Sequence, residues 1–353
     1  MEEGKQQAIT EDARINNMKR LRRRWCIAAW ITGIISLTLV LFGIIWSTTH
    51  KKYADNANNA NNPSNPNNPN NPNNPSNPNS PGNPSSPSKI NHESPYANLT
   101  KLFAYNTASP LASKPRVFVV GDVHGCIDEF NALLDAIDYT ESTDQVIIAG
   151  DLTAGGPDSL GVIRRAKEIG ALCVRGNHDD KVIRFRTYMN ANGGLLPARG
   201  TMNEGAVPDP LKFGNKHAAI ATNMTDEDYE YLQSCPLILD LQPFNAYVVH
   251  AGLDPTVKID DQDPYSVLNT RDVNAAGILI PSDKVGDPWS NKWNAAQTNG
   301  SAKYVYYGHA AGRGLNLQQY TYGLDTGCVY GKQLTAMELH SHNLTQVNCT
   351  LYK

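Results

Sequence analysis

The chain has 353 residues, a formal net charge of −3, 18% charged residues and 40% hydrophobic ones. Charge so near balance excludes a whole-protein basic field for nucleic acid, so any anion must be recognised by local Arg and Lys. The length allows one large domain or two small ones, with tails.

Residues 1–24 are polar and end in a basic cluster of Lys19, Arg20, Arg22, Arg23 and Arg24. Residues 25–46, WCIAAWITGIISLTLVLFGIIW, carry no charge and are long enough to cross a bilayer as a helix. Trp25 and Trp46 stand at its two ends, where interfacial aromatics belong. A cleaved signal peptide is the rival, but its apolar core runs to about 7–15 residues before a small-residue cleavage site. On the far side only Lys51 and Lys52 are near. The positive-inside bias therefore expects a single-pass type II protein, with residues 1–24 cytosolic and the remainder lumenal or extracellular. N-x-S/T sequons at Asn98, Asn223, Asn299, Asn343 and Asn348 all follow the apolar segment, which fits a glycosylated lumenal part.

Residues 47–90 form an Asn/Pro-rich linker, with Pro at every third position from Pro63 to Pro87. Such a segment has almost nothing to bury and is expected to stay unfolded. Pro at period three favours polyproline II, and about 27 residues at ~3.1 Å each would span ~80 Å.

Residues 91–353 read as one α/β domain. VFVV (117–120) is a buried strand that runs into GDVHG. VIIAGD (146–151) and LCVRGNHD (172–179) repeat the design, each an apolar strand ending in Gly and a polar residue. Between them Ile127, Phe130, Leu133, Leu134 and Ile137 recur at helical spacing, Pro157–Asp158 start a second helix that Gly170 ends, and 179–189 form a third. Strand–helix repeated three times implies a parallel sheet. Residues 190–225 read as a long loop with a short helix near the site, followed by a helix over 226–234. YVVH (247–250), YVYYGH (304–309), 321–324 and 334–339 read as strands, so the second half is expected to hold little helix. Cys126 and Cys173 are expected to be buried thiols, and Cys235, Cys328 and Cys349 are free to pair in an oxidising lumen.

Asp122, His124, Asp151, Asn177, His178, His250 and His309 all stand at ends of these strands. A lone His is usually a hydrogen-bonded structural residue, but seven polar residues at five strand ends suggest one crevice. Carboxylate, imidazole and amide ligands suit Mn, Fe or Zn. The set exceeds one ion's needs, so two ions with a shared carboxylate are expected.

GDVHG (121–125), GDLTAGGP (150–157), GNHD (176–179), HAGL (250–253) and GH (308–309) resemble, in order, the motifs of PPP-type, calcineurin-like metallophosphoesterases. GLDTGCVYGKQLTA (323–336) and GPDS (156–159) resemble the ApaH-like branch, which includes symmetrical dinucleoside tetraphosphatases. With the anchor, the chain is similar to fungal vacuolar endopolyphosphatases. The resemblance implies a central β-sandwich flanked by helices, with a dimetal site at strand carboxyl ends. It implies Asp122 and His124 on the first metal, Asp151 bridging, Asn177, His250 and His309 on the second, and His178 as general acid. It implies a metal-bound hydroxide attacking phosphorus.

Where protein phosphatases of the family read GDxVDRG, this chain has Ala154 and Gly155. The missing Asp orients the catalytic His and the missing Arg binds phosphate, so that clamp must come from elsewhere. Arg175, Arg271 and Arg313 are the candidates, with Lys181 beside them. The expected function is phosphoanhydride cleavage by an anchored lumenal enzyme, with inorganic polyphosphate as the leading substrate and the vacuole as the favoured compartment. Dinucleoside tetraphosphate hydrolysis, a protein phosphatase and an inactive metal-binding interaction module are the alternatives.

Overall fold

The computed structural model describes residues 99–205, 207–297 and 302–353. The expected tail, span and linker (1–24, 25–46 and 47–90) lie outside these, as do the sequons at Asn98 and Asn299. Among the described residues no helix is long and apolar enough to cross a membrane.

The strands in chain order are β1 (Leu102–Tyr105), β2 (Arg116–Val120), β3 (Asp144–Ile148), β4 (Leu172–Cys173), β5 (Ile238–Leu241), β6 (Ala246–Val249) and β7 (Asp272–Val273). They continue as β8 (Leu279–Ile280), β9 (Asp287–Pro288), β10 (Tyr304–Tyr307), β11 (Asn316–Leu317), β12 (Thr321–Gly323), β13 (Gln333–Glu338) and β14 (Leu344–Asn348). One sheet has the order β14-β13-β2-β3-β4, a second β1-β5-β6-β10-β12-β11, and β8-β7-β9 make a small third. In the first, β2, β3 and β4 run parallel. In the second, β6, β10 and β12 do.

The period of two along each strand explains the layering. Val117 and Val119 on β2 pack with Leu239, Leu241, Ala246, Val248 and Tyr306 of the second sheet, which makes a dry layer between the sheets. Phe118 and Val120 face the other way, into a core shared with helices. On the outer face of the second sheet, Val249, Val305 and Tyr307 pack against Trp289, Trp293, Val267 and Leu268. The result is the expected β-sandwich flanked by helices.

The helices are α1 (Ile127–Ala136), α2 (Ser159–Glu168), α3 (Asn177–Ala191), α4 (Lys216–Asn223), α5 (Asp226–Ser234), α6 (Pro264–Asn269) and α7 (Trp289–Ala296). Asp158 caps α2 by accepting from Gly161 N at 2.7 Å. At the other end Gly170 adopts a φ of 60° that favours glycine. A capping box starts α5: Thr225 Oγ1 accepts from Asp228 N and Asp228 Oδ2 from Thr225 N. The same Asp228 pairs with Arg164 at 2.8 Å, tying α5 to α2.

The structure departs from expectation in three places. The second half holds α6 and α7, too short for periodicity to show them. Yet Asp263 caps α6 with Pro264 in its first turn, and Trp289 and Trp293 share one buried face of α7. Strands β1, β5, β7, β8, β9, β11 and β14 have no counterpart among the expected strands; β7, β8, β9 and β11 are two residues long, and β1 and β14 are edge strands with no fully buried side chain. Cys173 is not a free thiol. It is bonded to Cys235, which ends α5 beside the edge strand β4, and Cys328 is bonded to Cys349. Cys126 remains free, and burial pushes its thiol up to about 12.

The Cys173–Cys235 bridge closes a separation of 62 residues. Replacing both with Ala should cost about 2–4 kcal/mol. Urea unfolding of the oxidised protein and the double variant measures this, and an unchanged midpoint would show that the bridge constrains nothing.

Candidate metal centre

The carboxyl ends of parallel strands from both sheets meet at one crevice. Asp122 and His124 follow β2, Asp151 follows β3, and Asn177 and His178 open α3 just beyond β4. His250 follows β6, His309 follows β10 and Asp325 follows β12. The first sheet thus supplies two carboxylates, two imidazoles and an amide, and the second two imidazoles and a carboxylate. His124, Asp151 and His309 all have positive φ, at 54°, 50° and 68°. Such conformations are strained for residues with a side chain and persist only where the surroundings enforce them.

Asp151 is the centre of the arrangement. Its Oδ2 lies 3.6 Å from His124 Nε2 and 3.5 Å from His250 Nε2. Its Oδ1 accepts from His178 N at 2.8 Å. On one side, His124 Nε2 also stands 3.9 Å from Asp122 Oδ2. On the other, His250 Nε2 is 3.1 Å from both Asn177 Oδ1 and His309 Nδ1. Asp151, His250 and His309 hold their ligand atoms within 4.8 Å of one another, as do His124, Asp151 and His178.

Backbone carbonyls set the tautomers. His124 Nδ1 is 3.0 Å from Thr153 O, His250 Nδ1 is 2.9 Å from Ala149 O, and His309 Nε2 is 3.1 Å from Asn269 O. Each ring therefore donates its one proton to a carbonyl and turns a lone pair to the crevice, as a metal-binding histidine does. Asp122 is held by His309 N, which donates to both of its oxygens at 3.1 Å.

The electrostatics ask for cations. Burial, the Asp325 charge and the Asp151 charge push the Asp122 carboxyl well above its ordinary range. Burial likewise raises Asp325. Burial would raise Asp151 too, but positive charge at the surrounding imidazoles, His250 first, overrides it and holds the carboxyl below the usual value; with the rings neutral, that charge must come from bound cations. Among the described residues no Arg or Lys forms an ion pair with Asp122, Asp151 or Asp325. Buried carboxylates without a basic partner, facing oriented imidazole lone pairs, fit a pair of metal ions sharing Asp151.

His178 stands at the rim. Its Nδ1 is 2.8 Å from His217 Nε2 on α4, and the two rings stack. His217 is placed by Asn215, whose Oδ1 accepts from His217 N at 2.9 Å. Burial, chiefly, carries His178 down to about 2 and His217 to about 3, so both rings are neutral near pH 7. The aspartate that Ala154 replaces is thus answered by a second imidazole from the segment expected as a loop. Asp179 does different work. Its carboxylate accepts from Leu152 N, Thr153 N, Thr153 Oγ1 and Gly176 N, locking two ligand-bearing turns together.

The expected arginines divide. Arg175 is only 1% exposed and pairs with Asp180 at 3.4 Å. It is a buried structural residue, not a substrate clamp, because β4 directs it under α3. Arg313 is also corrected: it pairs with Asp272 and donates to Arg271 O. Arg271 does line the crevice, a cavity of about 390 Å³, and donates to His309 O. Asp283, Asp325, Tyr330 and Lys332 also line it and were not among the candidate site residues. Asp325 sits in GLDTG after a strand that was expected, so the rule that found the other ligands would have found it. Lys332 follows shortly after and had no local signal.

Residues 115–331 match the family described as calcineurin-like phosphoesterase, and the chain belongs to that family. Its members hold two metal ions, and the donor groups above suit them. The asymmetrical bis(5'-nucleosyl)-tetraphosphatase PrpE of Bacillus velezensis is 30% identical over 245 residues, covering 66% of this chain and 92% of that protein. A symmetrical bis(5'-nucleosyl)-tetraphosphatase of Coxiella burnetii is 27% identical, covering 66% and 91%. The crystal structure of a putative diadenosine tetraphosphatase aligns with a TM-score of 0.57 at 27% identity, over 71% of this chain and 99% of that one. The chain is thus a dimetal phosphoesterase of the ApaH-like kind.

Asp151→Asn should empty both metal positions, measured as metal per protein by mass spectrometry. His178→Ala should keep full metal and lose activity by about 10²–10⁴-fold. His217→Ala should also keep metal, with kcat reduced by about tenfold or more and KM little changed. Equal metal loss in His178→Ala and Asp151→Asn would make His178 a ligand.

Proposed function

We propose that this chain hydrolyses dinucleoside polyphosphates, cleaving a phosphoanhydride bond at the dimetal centre. One observation carries the proposal. Asp151 Oδ2 faces both donor groups at about equal distance, 3.6 and 3.5 Å, in a chain that spans nearly the whole length of dinucleoside tetraphosphatases. Asp122 and His124 would hold the first ion, Asn177, His250 and His309 the second, and Asp151 would serve both. When bound there, the ions would make a water more acidic and offset negative charge on the phosphoryl oxygens.

The chain's own groups do the rest. His178, braced by His217, gives a proton to the departing oxygen. An anionic phosphate beside the ring raises its proton affinity from the low value of the free site. Arg271 supports the site from behind through the His309 carbonyl.

Inorganic polyphosphate, the leading substrate from the motifs and the anchor, yields to the dinucleoside reading because the relatives are nucleosyl-tetraphosphatases. Loss of the protein-phosphatase Asp and Arg at Ala154 and Gly155 argues against phosphoprotein substrates. The complete donor set argues against an inactive module.

A lumenal, membrane-anchored placement, the vacuole included, is part of the same proposal. Its support is residues 25–46, the exposed sequon asparagines Asn223, Asn343 and Asn348, and two disulfides, which persist in oxidising compartments. A glycosidase-sensitive mass shift in the full chain checks this placement, and a shift absent from cells that glycosylate would argue against it.

Incubation with diadenosine tetraphosphate and Mn²⁺, followed by anion-exchange chromatography, tests the substrate. Two ADP per substrate is the symmetrical outcome, and ATP with AMP the asymmetrical one. Intact dinucleotide, with shortening of long-chain polyphosphate in a parallel assay, would overturn the dinucleoside reading in favour of polyphosphate.

A further inference from the structure

Gly155 stands where protein phosphatases of this family carry an arginine that binds phosphate, and the space is filled from elsewhere in the chain. A side-chain carbon built on Gly155 would meet Val329 Cγ2 at 2.8 Å, Lys353 Cε at 3.4 Å and His124 Cβ at 3.5 Å. Lys353 therefore lies over the turn that also carries the first metal's environment. Its backbone N donates to Val329 O at 3.2 Å. Its Nζ stands 5.2 Å from the centre of the Tyr330 ring, and Tyr330 lines the metal crevice.

Lys216, at the start of α4, approaches from the other side. It lines a second cavity of about 350 Å³ that opens beside Gly155. Burial, and then the neighbouring Lys353 ammonium, lower the Lys216 pKa, with Lys181 adding to the effect. Among the described residues neither Lys216 nor Lys353 forms an ion pair with a carboxylate, unlike Lys292 and Lys303. Ammonium groups gathered without a carboxylate partner repel one another, and an anion between them relieves the repulsion.

We propose that Lys216 and Lys353 form a second anion subsite that holds the phosphates of a linear oligophosphate beyond the one at the metals. It takes over the work of the arginine missing at Gly155. A row of phosphates is the matching ligand, because Lys216 lines the second cavity and Lys353 lies between Gly155, which lines that cavity, and Tyr330, which lines the metal crevice. This deepens the proposed function and rests on its reading of the substrate as a phosphate chain. The chain could be capped by nucleosides or be inorganic, and the lysines read what the two share.

The test is calorimetric binding to full-length, Mn²⁺-loaded protein carrying His178→Ala to slow turnover. Inorganic tripolyphosphate and orthophosphate are the probes. The preference for tripolyphosphate should fall about tenfold in Lys216→Gln/Lys353→Gln, and its salt dependence should weaken. Lys216→Arg/Lys353→Arg should keep the preference, which separates lost charge from lost folding. An unmoved preference in the Gln variant overturns the subsite, and so does equal loss in the Arg variant. Diadenosine tetraphosphate forms the second arm. Matching loss for both chains supports phosphate recognition, and loss confined to the dinucleotide overturns it in favour of nucleoside recognition. A tripolyphosphate preference that falls as expected, in a protein that leaves diadenosine tetraphosphate intact, rejects the dinucleoside reading and keeps the subsite.

Discussion

The structure depends on one buried carboxylate. Asp151 is sealed from solvent, in a left-handed backbone conformation, with imidazoles on both flanks. Neither condition is favourable alone. Burial opposes its charge, and the backbone is strained for any residue with a side chain. Both are sustained because the strand ends around it are held by an extensive hydrogen-bond network. Asp179 binds the Asp151 turn to the start of α3 through four donors, and Thr153, one of its partners, orients His124.

Two sheets are needed to make such a site. A single parallel sheet delivers its strand ends along one line. Here β2, β3 and β4 arrive from one sheet and β6, β10 and β12 from the other, so donors surround a volume instead of bordering it. The approach is so close that glycine is required at the seams. A Cβ at Gly308 would collide with the Asp122 carboxylate, and one at Gly176 with Asp151. The Gly in each Gly-polar motif therefore reflects backbone proximity between neighbouring strand ends as well as a sharp turn.

These same seams explain what the chain revealed before its structure was known. Strand ends carrying Gly-Asp, Gly-Asn-His and Gly-His could be read because an apolar run, a tight turn and a polar ligand are all local signals. The helices α1, α2 and α5 were legible for the same reason, through periodicity and caps. What stayed hidden was non-local. No spacing says that Arg175 points beneath α3 toward Asp180, or that Arg313 is spent on Asp272. Nor does spacing say that Cys173 meets Cys235 across 62 residues. Asp325 lay within reach of the same local signals, because it directly follows the strand expected at 321–324.

The altered second motif shows how a site can exchange parts without losing its geometry. The aspartate that would brace His178 is absent at Ala154, and His217 reaches the same ring from α4. An imidazole in that position differs from a carboxylate in charge. A carboxylate would favour the protonated ring, whereas the neutral His217 leaves proton affinity to be set by what binds in front of it. A strongly anionic substrate supplies that field itself. Replacing both residues of the motif therefore leaves a site whose proton affinity is set less by its own charged side chains and more by whatever occupies it.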